Sequence, residues 1–433
     1  TGHGGVRMSK LSTLFRYFIT PKKFHSRKKI EKIQNRGMRK QVKFVRKNSP
    51  FFAHHWKDLP DHEWSKFPLI DKSIMMENLG DLLTVRLDIE EARRLADEAE
   101  KTRDFSPKIG PYSIGYSSGT SGSRGMHFVS EKEQAGWAGF MLARGLDGSI
   151  FSKHKIGLIL RANSNTFESV GSKRIEFKFY DLMKPLEEIH KSILQDNLDI
   201  LIGPPSVLRY LADVKSPLKV KKLVSAAEVL DDIDRKHIEQ HFGQIVHQFY
   251  SSTEGEIAAT CEYGTLHLNE EIMVIQKQWV DEEKGWYHPI ISDFKRKTQP
   301  IIRYRLNDIL VTSKQPCPCG DARESIEAVM GRQDDIFLLE KKDSEGFEQV
   351  IPDFIRRAVM QMHPDITAYC AIQKSAEEIE IQLLPIGLEN ISYDGFNQVW
   401  EKMQTKTPKI TVANYTFKPS ATKLRRIRRD FEL

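Results

Sequence analysis

Apolar and polar positions along the chain repeat with two different periods, and the switch between them organises it. Over residues 28–47, Ile30, Ile33, Val42 and Val45 recur at roughly helical intervals among cations, which predicts a basic amphipathic helix ending before Ser49-Pro50. From about Pro111 short apolar runs alternate with helical stretches. Strands are predicted at 156–160, 175–179, 200–202, from Leu223-Val224, and at 245–250, with helices at 185–195, 206–213 and 231–242. That alternation predicts α/β layering around parallel strands, where ligands gather at the loops beyond the carboxyl ends of the strands. After about Asp334 the pattern changes to a polar loop at 341–346, a helix at 352–360, an alternating strand at 379–384, another helix and a basic tail, together a small α+β domain. No internal repeat and no low-complexity segment interrupts this order.

Composition narrows the class. With 433 residues, 39% apolar and 29% charged, the chain reads as globular, in two or three units. The longest candidate apolar run, at 156–160, lies between Lys155 and Arg161, far below the ~18 residues of a spanning helix, so a transmembrane protein is excluded. Four cysteines and no signal peptide predict a reducing, cytoplasmic setting, and residues 1–7 read as a tag remnant before Met8. The net charge of +7 is local: residues 1–49 hold fifteen Lys or Arg against Glu31 alone, a charge of +14, which leaves −7 for residues 50–433. No nucleic acid partner is therefore expected. The basic region at 8–60 keeps two readings, a helix laying one stripe on the body or a peripheral contact with an anionic surface.

Several segments carry candidate chemistry. Residues 116–125, Tyr-Ser-Ser-Gly-Thr-Ser-Gly-Ser-Arg-Gly, pack three glycines and five Ser/Thr hydroxyls into ten positions. Such a loop can aim several N–H groups at one anion, with Arg124 adding charge; taken alone it is equally a flexible linker. Ser130 with Glu133 forms a capping box for a helix starting at Glu131. Phe249-Tyr250-Ser251-Ser252-Thr253-Glu254-Gly255 follows an apolar strand: an aromatic there can stack on a base, Thr253 can bond a phosphate and Glu254 can hold Mg²⁺, or the segment is a polar turn. Asp308 offers a carboxylate suited to a ribose diol, and 331–335 places Arg332 beside Asp334 and Asp335. Cys261, His267, Cys317 and Cys319 supply three thiolates and an imidazole, the donor set Zn²⁺ prefers, or a group of buried thiols; Cys370 is left over as a core thiol.

In their fixed order these segments resemble the adenylate-forming superfamily of acyl-CoA synthetases, in particular the branch of phenylacetate-CoA ligases and deazaflavin-coenzyme adenylyltransferases. The matching stretches are SSGTSG, Ala226-Ala227-Glu228, YSSTEG, PIIRYRLND, CPCG followed by GRQDD, and the terminal KPSATKLRR. The resemblance implies a large multi-layer α/β domain at 61–333 that binds ATP and the acyl group, and a small mobile α+β lid at 334–433. It implies that Ser118, Gly119, Thr120, Ser121, Gly122 and Arg124 wrap the ATP phosphates, and that Ala227, Glu228, Tyr250 and Ser251 border adenine and acyl group. Thr253 and Glu254 would serve phosphate and Mg²⁺, Asp308 and Arg332 the ribose, and Asp334 or Asp335 the hinge. Lys423 would bridge carboxylate and phosphate. Trp137, Phe140, Met141, Ala226 and Phe249 are candidates for the acyl pocket. The implied reaction is ATP-dependent activation of an aryl or medium-chain carboxylic acid to its acyl-adenylate, then transfer to CoA, a carrier-protein thiol or an amine. The alternatives are transfer of AMP to a hydroxyl of a coenzyme-like acceptor, or a non-catalytic binding protein working through its basic arm. Members of the branch carry a comparable Cys/His cluster, which favours a structural zinc. Three departures stand out: Ser123-Arg124 where the family has Lys-Pro, Thr422 where a Gly precedes the lysine, and no glycine-rich stretch after the hinge, where the thioester-forming relatives line the CoA tunnel.

Overall fold

Five apolar runs build the parallel half of the central sheet. His154–Leu160 pairs with Ile175–Asp181 on one side and Ile200–Gly203 on the other, followed by Lys222–Ser225 and Val246–Ser252, all in parallel register. The protein is represented by a computed structural model that describes residues 2–117, 125–146, 148–161, 174–332, 335–385, 387–416 and 425–431, leaving aside the side chains of 2–10 and 332. Counted along the chain, the strands lie in the order second, first, third, fourth, fifth. The direction of winding therefore reverses between His154–Leu160 and Ile200–Gly203, where α/β sheets open a crevice.

Side chains alternate between the two faces, and each face has its own core. Ile159, Leu201, Leu223 and Val246 bury against helices Leu186–Gln195, Pro205–Asp213 and Asp232–Phe242, whereas Ile156, Leu158, Ile200 and Val224 bury with Leu142 of helix Glu131–Gly145. Each strand and helix predicted at 156–250 is present, with its bounds moved by no more than three residues. The capping box of Ser130 and Glu133 is present too. Glu133 also accepts the backbone N–H of Thr298 at 2.9 Å, which fixes the start of that helix to the antiparallel half.

The antiparallel half continues from Val246–Ser252 through Gly255–Thr260, Leu266–Leu268, Ser325–Arg332, Asp308–Thr312 and Trp286–Asp293 to Met273–Asp281. Helix Arg27–Asn48 lies on it, burying Met38, Val42 and Val45 in the same cluster as Ile291 and Leu310, while Gln34 bonds the carbonyl of Met273 at 3.1 Å. The basic helix thus lays one stripe on the body and leaves most of its cations to solvent. A preceding helix, Gly2–Ile19, takes in most of the residues read as a tag remnant. A small three-stranded sheet of Lys108–Ile109, Tyr112–Tyr116 and Met126–Ser130 went unpredicted, because its strands are half-polar and short.

Residues beyond 336 form a smaller α+β unit. Its sheet runs Lys409–Asn414, Glu378–Leu384, Ala368–Ser375, Ile427–Arg429. Helices Pro352–Met362 and Asp394–Met403 cover it, and Val359, Tyr369, Phe396 and Trp400 share its core. No helix among the described residues is long and apolar enough to cross a bilayer.

Candidate active site

Two of the candidate segments lie at the carboxyl ends of the parallel strands. Strand Lys222–Ser225 runs into Ala226-Ala227-Glu228, and Val246–Ser252 runs into Thr253 and Glu254. A cavity of about 190 Å³ opens there, walled by Ala227, Glu228, Tyr250, Ser251, Asp308 and Asp335, six positions singled out from sequence alone. Ala227 has φ +70°, a left-handed conformation costing a non-glycine residue on the order of 1–3 kcal/mol, of the kind that clusters at functional sites. The Tyr250 hydroxyl donates to the Asp308 carboxylate at 2.6 Å, fixing the ring against the cavity wall. Asp308 stands opposite Arg332 in the antiparallel register, and Asp308 and Gly331 line the cavity.

Beyond Ser252 the turn bearing Thr253 and Glu254 is tied from behind. The Tyr304 hydroxyl donates to Glu254 at 3.1 Å, and the Arg296 guanidinium donates to the carbonyl of Thr253. Arg296 is fully buried; it also donates to Gln299 at 3.1 Å and lies 5.4 Å from the ring of Trp137. Burial holds the Tyr304 phenol well above its ordinary range, so it stays a donor to Glu254. Burial, reinforced by Arg296, pushes His127 down to about 4, so this neighbour is neutral at physiological pH.

A second cavity, of about 220 Å³, lies at the winding reversal and shares Phe249 and Ser251 with the first. Met141, Ala226 and Phe249, three of the candidates for an acyl pocket, line it, with Leu158 and Ile202 of the parallel strands. Trp137 and Phe140 do not. Ala138, Met141, Leu142 and Gly145 form the helical stripe facing the cavity, which turns Trp137 toward Arg296 and Phe140 into the core beneath Arg16. Among the described residues of the wall the one ionisable group is Glu256. It accepts a hydrogen bond from Ser251, and burial pushes it up to about 7.

The smaller unit closes over the first cavity with charged groups. Arg425 donates to Asp335 at 2.6 Å, Arg356 reaches Asp231 at 3.0 Å, and the Tyr369 hydroxyl donates to Asp231 at 2.9 Å. Behind them Asp234 receives Arg209 at 2.9 Å and Arg426 at 2.7 Å, all three groups being buried or nearly so.

No protein-family model and no curated protein sequence matches the chain. Solved structures do. 2-Hydroxyisobutyryl-CoA ligase in its postadenylation state with R3-HIB-AMP superposes with a TM-score of 0.68 over 94% of this chain and 91% of its own, at 14% identity. The chain has the acyl-CoA ligase fold. The same ligase in an open conformation with 2-HIB-AMP and CoA gives 0.57 over 90% of both chains at 16% identity. MatB from Rhodopseudomonas palustris with ATP bound gives 0.50 over 70% of this chain and 64% of its own, at 13% identity. The arrangement of parts in this ligase fold is thus nearer the postadenylation structure than the open one.

Within the ligase fold the loop expected to cradle phosphate has an ordered base. Ser117 and Gly125 bond each other twice, the Ser117 N–H to the Gly125 carbonyl at 2.6 Å and the Gly125 N–H to the Ser117 hydroxyl at 2.9 Å. Ser118, Gly119, Thr120, Ser121, Gly122 and Arg124 themselves, with Asp334, Lys423 and the side chain of Arg332, lie outside the described residues. Arg296, Arg425 and Glu256 were not singled out from sequence. A buried arginine in a run of surface-like charges carries no local signal, and the cavity role of Glu256 exists only through its pairing with Ser251.

Away from the cavities, Cys261, His267, Cys317 and Cys319 gather with all four donor atoms within 4.8 Å of one another. The Cys261 and Cys317 sulfurs are 3.7 Å apart, and the Cys319 sulfur is 3.3 Å from Nε2 of His267. The other ring nitrogen, Nδ1, lies 3.2 Å from the Arg323 carbonyl, an arrangement that orients Nε2 toward the thiols. Cys370 sits apart as a buried core thiol, as expected.

Proposed function

We propose that the protein condenses a carboxylic acid with ATP to give an acyl-adenylate and pyrophosphate, and then passes the acyl group to the thiol of CoA. The observation that carries this reading is the convergence of Ala227, Glu228, Tyr250, Ser251, Asp308 and Asp335 on one cavity that adjoins a second, apolar one. A nucleotide in the first and an acyl body in the second bring a carboxylate to an α-phosphate at the shared wall of Phe249 and Ser251. Tyr250 then faces the adenine, and Asp308 with Arg332 takes the ribose hydroxyls. Ser118, Gly119, Thr120, Ser121, Gly122 and Arg124 cradle the phosphates, a role supported by the closed base of that loop.

Attack of one anion on another requires positive charge where negative charge develops, and Lys423 is the residue assigned to that place. The Glu254 carboxylate, oriented by Tyr304, is suited to Mg²⁺, which when bound would neutralise charge on the phosphates. Residues 61–333 act as the binding body and 334–433 as the lid; Asp334 and Asp335 serve as the pivot, with Arg356 and Tyr369 on Asp231 and Arg426 on Asp234 holding the lid on the body in this arrangement.

CoA is favoured as acceptor because a solved structure of the same fold contains 2-HIB-AMP and CoA together. A carrier-protein thiol or an amine would use the same adenylate. The strand Phe337–Glu340, paired with Phe347–Val350 where thioester-forming relatives have glycines, favours a second reading in which AMP itself moves to a hydroxyl acceptor. Mass spectrometry of reactions with ATP, Mg²⁺, CoA and a panel of carboxylic acids, beside a parallel panel of phenolic hydroxyl compounds without a carboxyl group, separates them. A thioester or acyl-AMP mass supports the first reading; AMP esterified to a hydroxyl compound supports the second; none of these products in either panel overturns both.

The Cys261, His267, Cys317 and Cys319 cluster is assigned as a structural zinc site. Its donor set is the one Zn²⁺ prefers, and with four protein ligands it leaves no open position for catalysis.

A further inference from the structure

Resting on the acid-activating reading above, we infer that the second cavity selects acids whose acyl body carries a hydroxyl or amino group, and that Glu256 is the residue that selects them. Apart from Ser251 and the weakly accepting Met141 thioether, every other described residue of the cavity wall offers only hydrocarbon or backbone. Ser251 and Glu256 are register partners across the hairpin of Val246–Ser252 and Gly255–Thr260, so the two polar side chains form one patch in an apolar lining. The patch is held in place. Ser251 donates to the Glu256 carboxyl, and Asn269 donates to the Glu256 backbone carbonyl at 2.9 Å.

When ionised, a carboxylate offers about four lone-pair sites, of which one hydroxyl fills one. Glu256 lines the cavity, so acceptor capacity beyond the Ser251 bond is within reach of a group bound there. Water can serve those sites while the cavity holds no acid. A purely hydrocarbon acyl group would expel that water and leave the carboxyl without partners, whereas a hydroxyl or amino group would replace the lost bonds. This asymmetry makes discrimination large. Sites built to bond a donor reject the analogue lacking it by up to 10⁴–10⁵-fold, against about 10–200-fold for one methylene in a plain apolar pocket.

Size points the same way. An apolar cavity of about 150 Å³ holds benzene, so the 220 Å³ here accommodates a ring with a small substituent. Because Ser251 and Phe249 also line the first cavity, the polar patch lies near the shared wall, and a donor there leaves the rest of the acyl body against hydrocarbon.

The test uses phenylacetate against its ring-hydroxy and ring-amino isomers, with two readouts on the full chain: calorimetric binding of each acid without ATP, and exchange of labelled pyrophosphate into ATP. Wild-type protein is expected to prefer at least one donor-bearing isomer by about 100-fold in both. Glu256→Leu should abolish or reverse that preference, and Glu256→Gln, which keeps a carbonyl acceptor, should retain most of the hydroxyl preference. Equal response to phenylacetate and all isomers, or a preference that survives Glu256→Leu, overturns the inference, and the wild-type comparison decides even if Glu256→Leu does not fold. A Glu256-dependent binding preference without exchange leaves the cavity assignment standing and removes the adenylation reading. Exchange without preference does the reverse, and neither binding nor exchange with any acid removes both.

Discussion

Replacing Cys319 with serine removes one of the four donors of the Cys/His cluster, and the geometry allows the consequence to be worked out. Two thiolates bound to one zinc at about 2.3 Å with a tetrahedral angle lie about 3.8 Å apart, and a thiolate and an imidazole about 3.6 Å apart. The observed separations are 3.7 Å for the Cys261 and Cys317 sulfurs and 3.3 Å for Cys319 and His267. These two pairs match a common ion to a few tenths of an ångström, and all four donors lie within 4.8 Å of one another. The cluster joins the end of strand Gly255–Thr260, strand Leu266–Leu268 and the loop at 313–324, and Lys23 bonds the Cys319 carbonyl at 3.1 Å, so the N-terminal segment depends on it as well. At free zinc 1,000-fold above Kd the ion contributes about 4 kcal/mol of apparent stability. At about 2 °C per kcal/mol for a large chain, its loss lowers Tm by roughly 8 °C. Elemental analysis of protein purified under reducing conditions, combined with thermal unfolding with and without a chelator, measures both quantities. One zinc per chain and a chelator-sensitive Tm are expected for wild type, with both features lost in Cys319→Ser and kept in Cys370→Ser. Absence of zinc from wild type, together with no cobalt–thiolate absorption after cobalt addition, would refute the assignment, as would a full equivalent of zinc in Cys319→Ser.

Three further outcomes are expected. Asp234→Ala leaves Arg426 buried without its carboxylate and Arg209 with Asp213 alone, and should cost about 3–5 kcal/mol in denaturant unfolding; a loss below 1 kcal/mol would mean that the network is not an effective tie between lid and body. Asp308→Ala removes the acceptor of Tyr250 and a ribose partner, and at about 1.5–3 kcal/mol for a bond to a charged group it should raise the Kd for ATP by about 10–150-fold in calorimetry; an unchanged Kd contradicts the nucleotide assignment of the first cavity. Glu256 has a folded-state pKa raised by burial to about 7, so the stability of its neutral form is present at low pH and is lost as pH rises through that value. Wild type should therefore lose Tm relative to Glu256→Gln as pH rises from about 4.5 to about 7, with no further relative loss above that, and a pH-independent difference across this window would show that Glu256 does not titrate there.

Which parts were legible in sequence follows from the range of the interactions involved. The parallel strands announced themselves because strands buried on both faces are written as unbroken apolar runs, as in Ile-Gly-Leu-Ile-Leu at 156–160. The Ser130–Glu133 box is local by construction, with partners three residues apart. The cavity residues were legible because glycine, hydroxyl and acidic clusters at strand ends are short motifs. The faces of helix Glu131–Gly145 were not. Its apolar residues surround the axis, so the sequence could not tell that Met141 turns to the cavity while Phe140 turns to the core. Pairings that span the chain were invisible for the same reason. Arg426 finds Asp234 at a separation of 192 residues, and the Arg323 guanidinium reaches the Lys22 carbonyl over 301. Amphipathicity states that a face of the basic helix is covered without stating by what, and the structure puts its stripe of Met38, Val42 and Val45 against the sheet.

Acid-dependent exchange of labelled pyrophosphate into ATP tests the central claim most directly, since it reports reversible formation of an acyl-adenylate without requiring the final acceptor. Exchange with at least one carboxylic acid, falling by about 100-fold or more in Lys423→Ala, is the predicted result, consistent with the ~2.7–4 kcal/mol that one such charge-stabilising contact supplies. No exchange across a broad panel of acids, or undiminished exchange in Lys423→Ala, would contradict it.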